Sequence, residues 1–191
     1  MTNVGNMNWL EYWFIHSCGW RAVSQRYWEL PLLQKLGLNC TGKRVLEIGC
    51  GNGSASNLLS KLGAISVLGV DVADVPGKRR HPNVSFAVMD ATHLTLPDQS
   101  VDLVLSLGAL HHIENWEKAI SEATRVLSPT GGFAFIDFTA IGAGRWFMFD
   151  PPSGKYTTGQ LLQCLSLNNL RLVDCTHRFF GDVVFGYAVK N

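Results

Sequence analysis

Residues Val45-Leu46-Glu47-Ile48-Gly49-Cys50-Gly51-Asn52-Gly53 constrain the fold more than any other stretch, because an apolar run ends in an acidic residue and three glycines at alternate positions. The apolar run reads as a buried strand. Glycine takes positive φ without strain and lets backbone amides come close to a ligand. A helix is expected from Ser54 to Leu62, stopped at Gly63. Together these features describe a strand that turns sharply around a nucleotide-like cofactor seated at a helix N-terminus.

The rest of the chain repeats the same alternation. Strand-like runs fall at Arg44 to Ile48, Ile65 to Val70, Val84 to Val88, Leu103 to Leu107 and Phe133 to Phe138, with helical or loop segments between several of them. Such a series predicts an α/β fold with a parallel sheet and helical crossovers. Ile113, Trp116, Ile120, Ala123 and Leu127 mark one helical face that ends before Ser128-Pro129 and a Gly131-Gly132 turn. Thr158 to Leu167 is amphipathic. Leu170 to His177 and Val183 to Val189 are expected to form an antiparallel hairpin across Phe180-Gly181-Asp182. Between Asp71 and Val84 the segment is short and broken by Pro76 and Pro82, so a loop is expected there in place of a full helix.

No repeat, low-complexity tract or polar linker divides the 191 residues, and residues 1–191 are expected to form one domain. Its parts would be an aromatic helical segment over 1–43, a cofactor-binding core over 44–138, and a substrate-side loop with terminal strands over 139–191. Trp9, Trp13, His16 and Trp20 are spaced as on one helical face. Three readings of that stripe stay open: a helix packed on the domain, a cover over a hydrophobic substrate, or a dock for a membrane surface or partner.

With 47% hydrophobic residues, 16% charged residues and a formal net charge of +1, the composition argues against disorder and against a nucleic-acid partner. Cys18, Cys40, Cys50, Cys164 and Cys175 form no C-x-x-C pair, and no signal-peptide pattern precedes them. The cytoplasm is therefore the expected location. No apolar run approaches the roughly 20 residues that span a bilayer, so no integral membrane association is expected.

The pattern Glu47-x-Gly49-x-Gly51-x-Gly53 resembles motif I of the class I S-adenosylmethionine-dependent methyltransferases, and four further landmarks follow in the family's order. They are Asp71 after Val67-Leu68-Gly69-Val70; Val88-Met89-Asp90-Ala91; Asp102 to Leu107 with Gly108-Ala109-Leu110-His111-His112-Ile113; and Gly131-Gly132 leading into Phe133 to Asp137. The resemblance extends to the small-molecule type related to ubiquinone and menaquinone methyltransferases. It implies a Rossmann-like, seven-stranded, mostly parallel sheet in the order 3-2-1-4-5-7-6, with the seventh strand antiparallel and helices on both faces.

The cofactor implied is S-adenosyl-L-methionine. The matching positions are Glu47, Gly49, Cys50, Gly51, Asn52, Gly53, Asp71, Val72, Asp90, Ala91 and Leu107. Glu47 would lie near the methionine end, Asp71 would accept from the ribose hydroxyls, and Asp90 with the Ala91 amide would meet the adenine edge. Asp71 also reads as a helix N-cap, and Asp90 as a turn cap.

His111 and His112 read either as a general base beside the acceptor, with His112 nearer the usual pocket, or as residues that orient the next helix. No carboxylate or cysteine cluster completes a metal site around them. Tyr12, His16, Arg145 and Trp146 are candidates for substrate binding, with a solvated surface role as the other reading of Arg145. The expected function is methyl transfer to a small organic, apolar acceptor, with a second subunit, as in a homodimer, or a partner contributing the cover that a large acceptor would need. Two other functions stay open: a non-catalytic S-adenosylmethionine-binding module that acts with a protein partner, and a nicotinamide-dependent oxidoreductase.

Overall fold

The central strands carry two apolar faces, and the computed structural model, which describes residues 23–74, 81–139, 156–178 and 183–191, shows what covers both. Seven strands form one sheet: β1 (Arg44–Ile48), β2 (Ser66–Asp71), β3 (Val84–Val88), β4 (Val101–Leu107), β5 (Leu127–Phe138), β6 (Leu170–Arg178) and β7 (Val183–Lys190). Their spatial order is β3-β2-β1-β4-β5-β7-β6. β7 runs antiparallel to β5 and to β6, whereas the other pairings are parallel. The expected fold class and strand order therefore hold.

The helices are α1 (Leu30–Lys35), preceded by a π-helical turn at Gln25–Glu29, then α2 (Ser54–Lys61), α3 (Trp116–Val126) and α4 (Thr158–Leu167). Leu46, Ile48, Val104, Phe133 and Phe135 point to one face and pack against Trp116, Ile120, Leu161 and Leu165. Val45, Leu103, Leu105, Ala134 and Phe185 point to the other, under Leu30, Leu33, Ala55 and Leu59. This two-sided burial explains why the central strands read as continuous apolar runs.

The structure departs from the sequence expectations at two places. Gly131-Gly132 is not a turn ahead of a strand, because β5 begins at Leu127 and passes through both glycines. The pairing with β4 jumps from Val101↔Leu127 to Leu103↔Gly132, so the glycines absorb a β-bulge. The helix expected from Ile113 begins at Trp116, and a separate 3-10 turn occupies Leu110–His112. The proposed Phe180-Gly181-Asp182 turn and the aromatic stripe from Trp9 to Trp20 lie outside the described residues.

Between β2 and β3 the described residues hold no helix. His81 Nδ1 and Asn83 Oδ1 both meet Ser60 Oγ, at 2.6 Å for the histidine, and the Asn83 amide donates to the carbonyls of Ala64 and Ile65. These bonds clasp the start of β3 to the end of α2. Val88 remains 59% exposed at this edge.

Two tests follow from this packing. A Cβ at Gly186 would run into the ring of Phe135, which is fully buried. Gly186→Ala is therefore expected to lower stability by about 1–3 kcal/mol through overpacking, read as a lower urea midpoint at an unchanged slope. Arg44 donates from its guanidinium to both oxygens of Asp102, and that hydrogen bonding holds the Asp102 carboxyl down at about 2. A depressed carboxylate contributes stability above its ordinary pKa and loses it as pH falls toward the depressed one. Asp102→Asn should thus be less stable than wild type at pH 7 and converge with it as pH falls from about 4 to about 2 in a thermal melt series.

Candidate active site

Parallel strands direct the residues that follow them to one edge, so the loop after β1, Asp71, Asp90, Leu107 and the turn carrying His111 gather at the carboxyl edge of the sheet. The glycine loop is built for close approach. Gly49, Gly51 and Gly53 have φ of +68°, +47° and +75°. The Gly49 and Cys50 amides donate to the Val70 carbonyl at 2.9 and 3.0 Å, drawing the loop over β2. A Cβ on Gly49 would strike the Cβ of Ala109, so only glycine lets the β1 loop and the β4 exit touch.

Asp71 stands across from that loop. One carboxylate oxygen accepts from the Gly51 amide at 2.9 Å and the other from the Ala73 amide at 3.2 Å, which leaves lone pairs on both. Asn52 accepts from the Ser54 amide at 3.0 Å, while its side-chain NH2 is buried with no hydrogen-bond partner. A buried, orphaned donor beside an incompletely used carboxylate and a glycine cradle suits a ligand with ribose hydroxyls and polar ends. These residues fit the cofactor that the sequence implies.

Other expected contacts divide. The buried Glu47 accepts from Ser56 Oγ, which pins α2 to β1, and Gly69 opposite it supplies the room. Asp90 accepts from the Thr92 amide and hydroxyl, both at 2.8 Å, and so closes its own turn, with its side chain exposed. Cys50, Ala91 and Leu107 are buried, and Val72 is 66% exposed at the edge. Tyr12, His16, Arg145 and Trp146 lie outside the described residues.

On the far side of the β1 loop, His111 is buried with Nδ1 against Asp137 Oδ1. Asp137 is fully buried and also accepts from the Leu110 amide at 2.8 Å and the Phe138 amide at 2.7 Å. A carboxylate that already holds two N–H donors requires the proton on Nδ1 of His111, which leaves Nε2 as the basic nitrogen. The half-buried His112 ring contacts the His111 ring with centroids 3.9 Å apart, and Phe138 meets His111 edge-on at 5.2 Å.

Sequence reasoning gave Asp137 no role, although the signal was the one that exposed Asp71: an acidic residue ending an apolar strand. Tyr156 was also missed; it is fully buried, packs on Trp116 at 4.4 Å, and carries a phenol that burial and then neighbouring Asp137 push well above its usual pKa. Burial likewise raises the thiols of Cys40, Cys164 and Cys175, which disfavours thiolate chemistry at each. Among the described residues no cluster of three or more His, Cys, Asp or Glu side chains could hold a metal ion. Nor is any described helix long and apolar enough to cross a membrane.

Residues 46–135 match a family model described as a methyltransferase domain. A probable S-adenosylmethionine-dependent methyltransferase of Mycolicibacterium smegmatis is 35% identical over 119 residues, covering 58% of this chain and 45% of that protein. The 27-O-demethylrifamycin SV methyltransferase of Amycolatopsis mediterranei is 33% identical over 109 residues, covering 52% and 40%. The chain thus spans less than half the length of these relatives. A crystal structure of an S-adenosylmethionine-dependent methyltransferase from Mesorhizobium loti superposes with a TM-score of 0.74 at 20% identity, covering 85% of this chain and 97% of that one.

The loop geometry sets a binding test. Asp71→Ala, which removes a charged acceptor and unseats the Gly51 amide, should weaken S-adenosylmethionine binding by about 10- to 100-fold in a calorimetric titration.

Proposed function

From a chain that carries the class I S-adenosylmethionine-dependent methyltransferase domain, we propose the transfer of a methyl group to a hydroxyl of a small, largely apolar organic acceptor. The observation that carries this reading is the buried His111–Asp137 pair at the carboxyl ends of β4 and β5. Methylation of an amine or thiol needs little help with a proton, but an alcohol or phenol must lose one as its oxygen is alkylated.

The glycine loop and Asp71 would hold the cofactor, with the Asn52 amide as a further donor. S-adenosylmethionine supplies an activated methyl on a sulfonium, open to in-line displacement. Alignment is thus the largest task left to the protein, and well-oriented reactants gain about 7–11 kcal/mol over free encounter. Asp137 fixes the His111 ring and its tautomer. His111 Nε2 would take the hydroxyl proton as the acceptor oxygen is methylated. His112, packed on His111 and less buried, forms the wall nearer the acceptor. The A. mediterranei relative is named for methylation at an oxygen, which agrees with a hydroxyl acceptor.

His111→Gln is expected to lower kcat by about 10²- to 10⁴-fold against an apolar hydroxyl acceptor, with S-adenosylmethionine affinity within about twofold of wild type. The check is steady-state methyl transfer over a panel of phenols and alcohols, alongside calorimetry. Turnover that survives His111→Gln would sink the base assignment, and cofactor binding without turnover on any acceptor would favour a binding module.

A further inference from the structure

The Asp137 carboxylate has about four acceptor sites, and three are filled: Oδ1 by His111 Nδ1 and the Phe138 amide, Oδ2 by the Leu110 amide alone. One site on Oδ2 is left in a place that water does not reach, since Asp137 has no exposed surface. Beside the Asp137 carboxylate lies Tyr156, 1% exposed, whose buried hydroxyl makes no hydrogen bond among the described residues. An open acceptor site and an orphaned donor therefore share one buried place, and leaving such groups unmade is costly.

The ring of Tyr156 is held from two directions. It packs on Trp116, the first residue of α3, at 4.4 Å. It also immediately precedes Thr157, which caps α4 through a reciprocal capping box with Gln160: the Thr157 hydroxyl accepts from the Gln160 amide at 3.2 Å, and the Gln160 side chain accepts from the Thr157 amide at 2.8 Å. Tyr156 and Leu161 thus stand where a hydrophobic staple would place them, in one apolar cluster. The phenol is fixed at α4's entry and cannot swing away to water.

We propose that Tyr156 is a positioning residue for this site: in the reacting complex its hydroxyl donates to Asp137 Oδ2 as the fourth donor, fixing the carboxylate that in turn fixes His111. The high phenol pKa suits the role, because the group stays a donor across the working pH range. Tyr156 does not meet the acceptor; it acts through Asp137. The inference rests on the assignment of His111 as base, yet its link to Asp137 is measurable without any acceptor.

The test is Tyr156→Phe, which keeps the ring on Trp116 and removes only the hydroxyl. In protein labelled with ¹⁵N-histidine and saturated with S-adenosylhomocysteine, the Nδ1 proton resonance of His111, assigned by its loss in His111→Gln, should move downfield as Asp137 becomes a stronger acceptor toward His111. With a turned-over acceptor, kcat should fall about tenfold at unchanged cofactor affinity, the size expected for one hydrogen bond. An unmoved resonance in a folded Tyr156→Phe protein overturns the proposal. Should that variant fail to fold, 3-fluorotyrosine at position 156 is a near-isosteric stronger donor: an upfield shift supports the proposal and no shift overturns it. A shifted resonance together with full activity in His111→Gln would refute the base assignment and leave the Tyr156–Asp137 link standing.

Discussion

A carboxylate buried at the end of a strand must be supplied with donors by whatever folds around it, since an unpaired one costs several kcal/mol. Asp137 imposes that demand here. Its backbone donors come from Leu110, after β4, and from Phe138, its own neighbour in β5. The turn that carries His111 is therefore set by the requirement that the Leu110 amide face β5. Glu47 makes a similar demand on α2 through Ser56, and Asp71 on the glycine loop through Gly51. Three acidic residues at three strand ends thus hold three connections against the edge where the ligands belong.

Much of this was legible in the chain. Period and apolar runs place β1 to β5, and the glycine spacing places the loop, because both signals are local. The β5 start was hidden: Ser128-Pro129 and two glycines read as a turn, but Leu127 pairs with Val101 and the strand runs on through a bulge. Pro is tolerated at such an irregularity, where a ladder bond is already missing. Tyr156 was illegible for another reason. Its role depends on α4 returning to the face that holds Trp116, a contact between residues far apart in the chain.

The family match and the candidate site overlap without coinciding. The match to known methyltransferases covers residues 46–135, which span the loop, Asp71, Asp90 and the histidine pair. Asp137 and Tyr156 fall beyond that match. The acid that orients the histidine is thus supplied by the last parallel strand of the core, and its further neighbour by the segment leading into α4.

The short connection between β2 and β3 also bears on how the chain reaches this structure. Val67 pairs with Val84 across a short connection, whereas Gly132 must find Val189. Closing a loop costs about 0.6 kcal/mol more for each doubling of its length. The β2–β3 edge therefore closes with low contact order, as does the β6–β7 edge, where Arg178 pairs with Val183. The β1–β4 pairing, Val45 with Leu103, and the β5–β7 pairing, Gly132 with Val189, span the longest separations and are the slower closures to achieve.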